Sequence, residues 1–410
     1  MAATTTAAAA PSRDILIYAE LLTNIRQITV KASLPTPADQ TTKAEIFDLG
    51  HKFRIEHGGV IRELALPAQA PIAGALPTSH KGSVDLTWRV PVRPQEAQKR
   101  HFVPENQPLP WTAADIQDGS AISCRNCGSR IVEQGKVEAW KDLPSENWAE
   151  MMEFWHCHKP VDHNKPEDGA LQQRGYGAAT TITAQQGVGF VDMTSLLFSE
   201  SDCENLLYSS PGASSDQRHD CSAKAANETP AETFMQLHCS KCAAEVGTFN
   251  TISAAVTLFK WQVNCDAAPS QKSPSSSECL VATLISTLSR SGSSKSVIIP
   301  RKSGKEDSAQ DHSQALHIWV FNSNVVYTSS KLDGAPVTAI KILYRDVSEE
   351  EAHKLTESLT GDVQDISFPS AAIQAARETL GVSRLMLPSS ERSFQEWQVG
   401  LLERWSPRPD

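Results

Sequence analysis

The feature that most constrains this chain is a pair of short cysteine motifs set far apart, Cys124-Arg125-Asn126-Cys127-Gly128 and Cys239-Ser240-Lys241-Cys242-Ala243. Two thiols separated by two residues fit a tight turn, in which both sulfurs face one side and backbone N–H groups point at them. Gly128 suits the left-handed backbone that closes such a turn, and Ala243 is a modest departure from it. Each turn supplies half of a tetrahedral shell. Together Cys124, Cys127, Cys239 and Cys242 supply four thiolates, a candidate Zn2+ site built from two knuckles on separate hairpins. The alternatives are two unrelated pairs of buried cysteines, or redox motifs. No thioredoxin-like βαβ pattern surrounds either pair, which favours metal.

Composition narrows the setting. Nine cysteines, an odd number in a chain of 410 residues without a visible signal peptide, argue for reduced thiols and a place in the cytoplasm or nucleus. The formal net charge of −10 leaves no general nucleic-acid footprint, and an acidic chain suits a basic protein partner. No apolar run approaches the length of a membrane span. The Ala/Thr-rich residues 1–13 carry neither a basic start nor an apolar core and are expected to be disordered.

Between the two cysteine motifs, Trp148, Met151, Met152 and Trp155 recur at i, i+3, i+4 and i+7, one face of a short amphipathic helix over 144–156. Pro144 suits its first turn and Glu146 and Glu150 its positive end. Such a helix delivers Cys157 and His158 at its C-terminal end. Cys157, flanked by His156 and His158, is a candidate nucleophile because neighbouring imidazoles would lower its pKa. The competing reading makes Cys157, His158 or His163 a ligand of the metal or a residue around it.

The fold class expected is α+β, predominantly antiparallel β with a zinc-knuckle region and C-terminal helices. Residues 14–115 read as an N-terminal β domain of the sandwich or barrel-like kind. Its strands lie near 15–21, 25–30, 45–49, 52–57, 60–66 and 84–92, with Gly58-Gly59 marking a hairpin. Residues 116–290 form the zinc-knuckle region. The polar, Ser/Asp-rich residues 199–230 are expected to be a disordered excursion with Cys203 and Cys221 incidental, and 291–315 a second disordered insertion. Residues 279–289 are apolar and fit helix or strand. In the C-terminal region, 316–410, strands are expected at 316–322, 324–328 and 337–344. A helix opens on the Ser348…Glu351 capping box, another runs from Ser370 to a stop at Gly381, and a third covers 393–405.

Taken in order, the Cys124…Cys127-Gly128 turn, the Leu143-Pro144-Ser145-Glu146-Asn147-Trp148…Trp155-His156-Cys157-His158 stretch, the Cys239…Cys242 pair, Leu258-Phe259-Lys260-Trp261 and Ile318-Trp319-Val320-Phe321-Asn322 resemble the ubiquitin-conjugating-enzyme-binding proteins described as having a HECT-like domain. The resemblance implies a ubiquitin ligase that binds a ubiquitin-conjugating enzyme and promotes transfer of ubiquitin to protein lysines. It also implies a link to the endonuclease that cuts pre-mRNA 3′ ends. A non-catalytic zinc-containing adaptor or chaperone for that endonuclease is the alternative. HECT chemistry needs a thiolate that accepts ubiquitin, and in HECT domains that cysteine lies near the C-terminus. Here the last cysteine is Cys279, so Cys157 is the candidate if a thioester forms.

Overall fold

The computed structural model describes residues 14–78, 82–93, 107–143, 184–209, 234–266, 272–301, 314–332, 335–358 and 362–406. They fall into two compact units. One draws on Met1–Gln107, Leu284–Pro300 and Ser313–Arg404, the other on Pro108–Thr283 together with Arg301, Trp405 and Ser406. The helix expected over 144–156, the N-terminal residues 1–13, Cys157, His158, His163 and Cys221 lie outside the described residues.

The first unit opens with β1 (Leu16–Leu22), whose sequence LIYAELL is apolar on both faces and is buried on both. It pairs antiparallel with β2 (Gln27–Ser33), which pairs in turn with β7 (Asp85–Pro91). Between them β3 (Lys43–Phe47), β4 (Lys52–His57), β5 (Val60–Ala65) and β6 (Gly74–Leu76) make a four-stranded sheet in the order β5-β4-β3-β6. Gly58 and Gly59, at φ 56° and 76°, close the β4–β5 hairpin as the sequence predicts, because both central positions of this turn require positive φ. Alternation then does the packing. Ala44, Ile46, Phe53, Ile55 and Leu64 from the small sheet meet Ile17, Ala19, Leu21, Ile28, Val30 and Trp88 in one buried cluster. The two sheets thus pack face to face, and the one that holds β1, β2 and β7 also takes strands from the C-terminal part of the chain.

The second unit contains β8 (Ile122–Cys124), β9 (Arg130–Val132), β10 (Ala139–Asp142), β11 (Val188–Val191), β12 (Ser195–Ser199), β13 (Leu206–Ser209), β14 (Phe234–Cys239), β15 (Glu245–Asn250), β16 (Ala255–Phe259) and β17 (Val263–Cys265). Seven of them form a sheet in the order β10-β11-β12-β16-β15-β14-β13, and the other three a small sheet β17-β8-β9. Ile122, Ile131 and Val132 from the small sheet share a core with Leu196, Phe198, Leu237, Val246, Val256 and Leu258 from the large one. Residues 199–209, expected within a disordered excursion, instead supply the end of β12 and all of β13, with Cys203 half-buried between them. Leu206-Leu207-Tyr208 is a short apolar run that averaging over the surrounding serines and aspartates conceals.

The helix α1 (Ser276–Ser291) follows, so the apolar residues 279–289 are helical. The chain returns to the first unit with β18 (Lys295–Pro300), β19 (Ala315–Ser329), β20 (Val337–Val347), α2 (Glu349–Thr356), β21 (Val363–Phe368), α3 (Ser370–Ser383), β22 (Ser393–Phe394) and β23 (Trp397–Glu403). These strands complete a nine-stranded sheet on the N-terminal hairpin. β19 pairs β18 through residues 316–319 and β1 through residues 326–329, and the order runs β22-β23-β20-β19-β1-β2-β7. Three expectations change. β18, with Val297 and Ile298 fully buried, stands where a disordered insertion was expected. α3 continues through Gly381 to Ser383, whose hydroxyl donates to the Leu380 carbonyl at 2.9 Å. The third C-terminal helix is β23. Trp397, Val399 and Leu401 fill one core while Gly400 lies under Leu380 of α3. A strand buried on both faces shows no alternation, and its apolar spacing imitates a helix. Among the described residues the fold is thus mostly antiparallel β with three helices, an α+β protein.

Candidate metal centre

β8 runs directly into Cys124 and β14 directly into Cys239. From there the two turns follow one hydrogen-bonding plan. Cys124 N–H donates to the Ser129 carbonyl at 2.8 Å, and Gly128 N–H donates back to the Cys124 carbonyl at 2.8 Å. Cys239 N–H donates to the Ala244 carbonyl at 2.9 Å, and Ala243 N–H to the Cys239 carbonyl at 2.8 Å. The closing residues share a left-handed backbone, φ 73° at Gly128 and 59° at Ala243. The residue after each first cysteine is also anchored outside its own turn. Arg125 N–H donates to the Gln262 carbonyl at 3.0 Å and Ser240 N–H to the Asn205 carbonyl at 2.9 Å. The alanine departure noted in the sequence leaves the turn geometry unchanged.

The four sulfurs meet. All lie within 4.8 Å of one another. Cys124 Sγ is 3.7 Å from Cys242 Sγ and Cys127 Sγ is 3.6 Å from Cys239 Sγ, so each close pair joins one turn to the other. The first cysteine of each turn is buried, whereas Cys242 is half-buried and Cys127 exposed. Protonation differs accordingly. Burial pushes the Cys124 thiol up to about 12. Cys242 is held down at about 6 by the Asn126 side chain and then by the Ala244 backbone N–H. At Cys127 the Ser129 N–H lowers the pKa, but desolvation and the Cys242 and Cys239 thiols together raise it. Four thiolates this close repel one another, and only a cation placed among them lets all four ionise. The donor set therefore fits a metal ion. Four protein sulfurs also fill a tetrahedral shell without leaving an open position, the pattern of a structural site.

Two residues of this unit, one of them in the first cysteine turn, have roles that spacing alone did not announce. The Arg125 guanidinium donates through Nη1 to the Trp261 carbonyl at 3.0 Å and the Pro274 carbonyl at 2.8 Å, and through Nη2 to the Ser273 carbonyl at 3.4 Å. Lys260, 1% exposed, donates from Nζ to the carbonyls of Pro110 at 2.5 Å, Trp111 at 2.9 Å and Met193 at 3.5 Å. Burial depresses it to about 8. The only signal for Lys260 was a charged residue inside the apolar run Leu258-Phe259-Lys260-Trp261. The remaining described thiols are not placed with the four: Cys203 and Cys265 are half-buried and Cys279 fully buried.

The fold and this centre define a class, a β-rich α+β protein with a four-thiol site of metal-binding geometry. The chain belongs to the family described as HECT-like ubiquitin-conjugating enzyme (E2)-binding, which it matches over residues 20–399. It is 25% identical over 310 residues to an uncharacterized protein of Schizosaccharomyces pombe, covering 72% of this chain and 78% of the relative. It is 23% identical over 315 residues to a Pongo abelii protein named as an E3 ubiquitin-protein ligase, covering 70% and 73%. The Mus musculus protein of the same name is 23% identical over 330 residues, covering 73% and 76%. No solved structure matches the chain.

Proposed function

We propose that this protein is a ubiquitin ligase that binds a ubiquitin-conjugating enzyme carrying ubiquitin and promotes transfer to lysine by positioning that enzyme, without carrying ubiquitin itself. The observation that carries the reading is the family match across most of the chain, together with relatives named as ubiquitin ligases. The thiols support the choice of mechanism. A relay cysteine must be ionised and within reach of the incoming thioester. Among the described residues, burial pushes Cys203 upward and Cys279 up to about 12. Cys242, the thiol held lowest, belongs to the four-sulfur cluster. Cys157 lies outside the described residues and is the one relay candidate that the sequence singles out.

The metal we assign to the cluster is Zn2+. A regular tetrahedron with Zn–S bonds near 2.3 Å has sulfur–sulfur edges of about 3.8 Å, close to the 3.6 and 3.7 Å of the two nearest pairs. Cys124, Cys127, Cys239 and Cys242 would hold the ion, which neutralises their charge and ties the two hairpins together.

The test is discharge of a ubiquitin-loaded conjugating enzyme onto free lysine, with purified full-length protein. Stimulated discharge that persists in Cys157→Ser, with no reducible ubiquitin adduct on this protein, is expected. An adduct that disappears in Cys157→Ser would replace positioning by a thioester relay. Binding of the conjugating enzyme without faster discharge would make the protein an adaptor.

A further inference from the structure

We propose that occupancy of the four-thiol centre controls, through Arg125, whether the first turn of α1 is docked. The inference rests on the metal reading above and adds a consequence that the four cysteines alone do not carry. Arg125 is inside the first cysteine turn, between two sulfurs, and is not a ligand. Its backbone N–H is bound to the Gln262 carbonyl, while its guanidinium takes the carbonyls of Trp261, Ser273 and Pro274.

Ser273 and Pro274 immediately precede a self-contained helix start. Glu278 Oε2 accepts from the Ser275 N–H and from the Ser275 hydroxyl, both at 2.8 Å, and Ser275 Oγ accepts from Glu278 N–H at 3.1 Å. Lys272 Nζ sits 3.2 Å from the other Glu278 carboxylate oxygen, and Ser273 Oγ donates to Asn264 Oδ1 at 2.9 Å. This reciprocal cap satisfies the Ser275 and Glu278 N–H groups at the helix start. The carbonyls of Ser273 and Pro274 are handed to Arg125. Cys279, one residue beyond the cap and 0% exposed, feels the Arg125 charge among its surroundings. An Arg fork that joins a ligand-bearing turn to a capped helix start transmits the position of one to the other. When the metal fixes Cys124 and Cys127, the intervening Arg125 has one position. When the turn loosens, its fork leaves the carbonyls and the cap loses its support.

Cys279 is the reporter. Purified full-length protein is loaded with Zn2+, treated with a thiol-alkylating reagent, and read by peptide mass spectrometry with metal content measured in the same sample. Arg125→Met should keep one equivalent of Zn2+ yet alkylate Cys279 about tenfold faster than the unmodified protein, the effect of losing a few partly exposed charge-assisted hydrogen bonds. Cys203, elsewhere in the unit, should label at an unchanged rate. Removing Zn2+ by chelation should expose Cys279 in the unmodified protein, with little further effect in Arg125→Met. Equal protection of Cys279 in both metal-loaded proteins would overturn the inference while leaving the metal reading intact. Absence of bound Zn2+ in the unmodified protein would overturn both. If Arg125→Met does not fold, graded chelation of the unmodified protein decides: acceleration of Cys279 labelling while the Cys203 rate still holds supports the coupling, and acceleration of the two together overturns it.

Discussion

The two cysteine turns make one hydrogen-bonding plan from different materials. The first closes with glycine and the second with alanine, yet Gly128 and Ala243 adopt the same left-handed conformation. The first is strapped to the chain around residues 261–274 by the Arg125 fork, whereas the second is held at Ser240 by the Asn205 carbonyl. What they share is set by what the sulfurs must do: the first cysteine buried at the end of a strand, the second nearer the surface. What differs is the support. The geometry of the four-sulfur centre outranks the local preference of the closing residue: a left-handed alanine costs about 1 kcal/mol, and a structural metal held by the proposed four thiolates would contribute far more.

The largest expected effect breaks the pair altogether. Cys239→Ser/Cys242→Ser should abolish stoichiometric Zn2+ binding and lower the unfolding free energy by at least several kcal/mol, since structural zinc contributes folding energy directly. Metal analysis with thermal unfolding checks this, and full retention of Zn2+ in the double variant would show that the turns do not share an ion. Next, Arg125→Met, which removes the strap between the first cysteine turn and the carbonyls of Trp261, Ser273 and Pro274, should lower stability by about 1 to 2 kcal/mol. Denaturant unfolding of the metal-loaded protein reads the loss, and no change would mean that the strap is idle.

Protonation sharpens the comparison further. Without metal, Cys242 in the second turn is held at about 6 while Cys124 in the first is raised to about 12. Zinc loading at pH 7.5 should then release fewer than four protons, and loading at pH 5.5 should release more, because Cys242 gains a proton as pH falls through about 6. Calorimetry in buffers of different ionisation enthalpy counts them, and a count that does not change with pH would contradict the assignment. The smallest effects exchange the closing residues. Ala243→Gly should stabilise by up to about 1 kcal/mol, and Gly128→Ala, which has open space at its Cβ, should cost about the same. Equal and opposite shifts in the unfolding midpoint would confirm that backbone conformation alone separates the two turns.

Much of this was legible in the residues. The four thiols, the hairpin at Gly58-Gly59 and the helix opened by Ser348 each carry a local rule. In the last case the Ser348 hydroxyl accepts from Glu351 N–H at 3.1 Å. The misread segments share one property: their surroundings decide them. Val297 and Ile298 are a short apolar core in a serine- and lysine-rich stretch, and β23 is apolar at positions that suit a helix as well as a doubly covered strand. Arg125 and Lys260 were visible only as charges. Their partners are backbone carbonyls, which no side-chain pattern advertises.

By itself, then, the sequence determined the chemistry on offer: four thiols in two tight turns, each turn closing through a residue that can take positive φ, and strands rich enough in apolar residues to require covered sheets. Tertiary structure decided the pairings. It brought Cys124 to Cys242 and Cys127 to Cys239, gave β1 a neighbour from the far end of the chain in β19, and placed the Arg125 fork on the start of α1. The physical reason is range. Turn and cap preferences act over three or four residues, whereas a strand's second neighbour and a buried cation's carbonyls are fixed only when distant segments bury one another's surface.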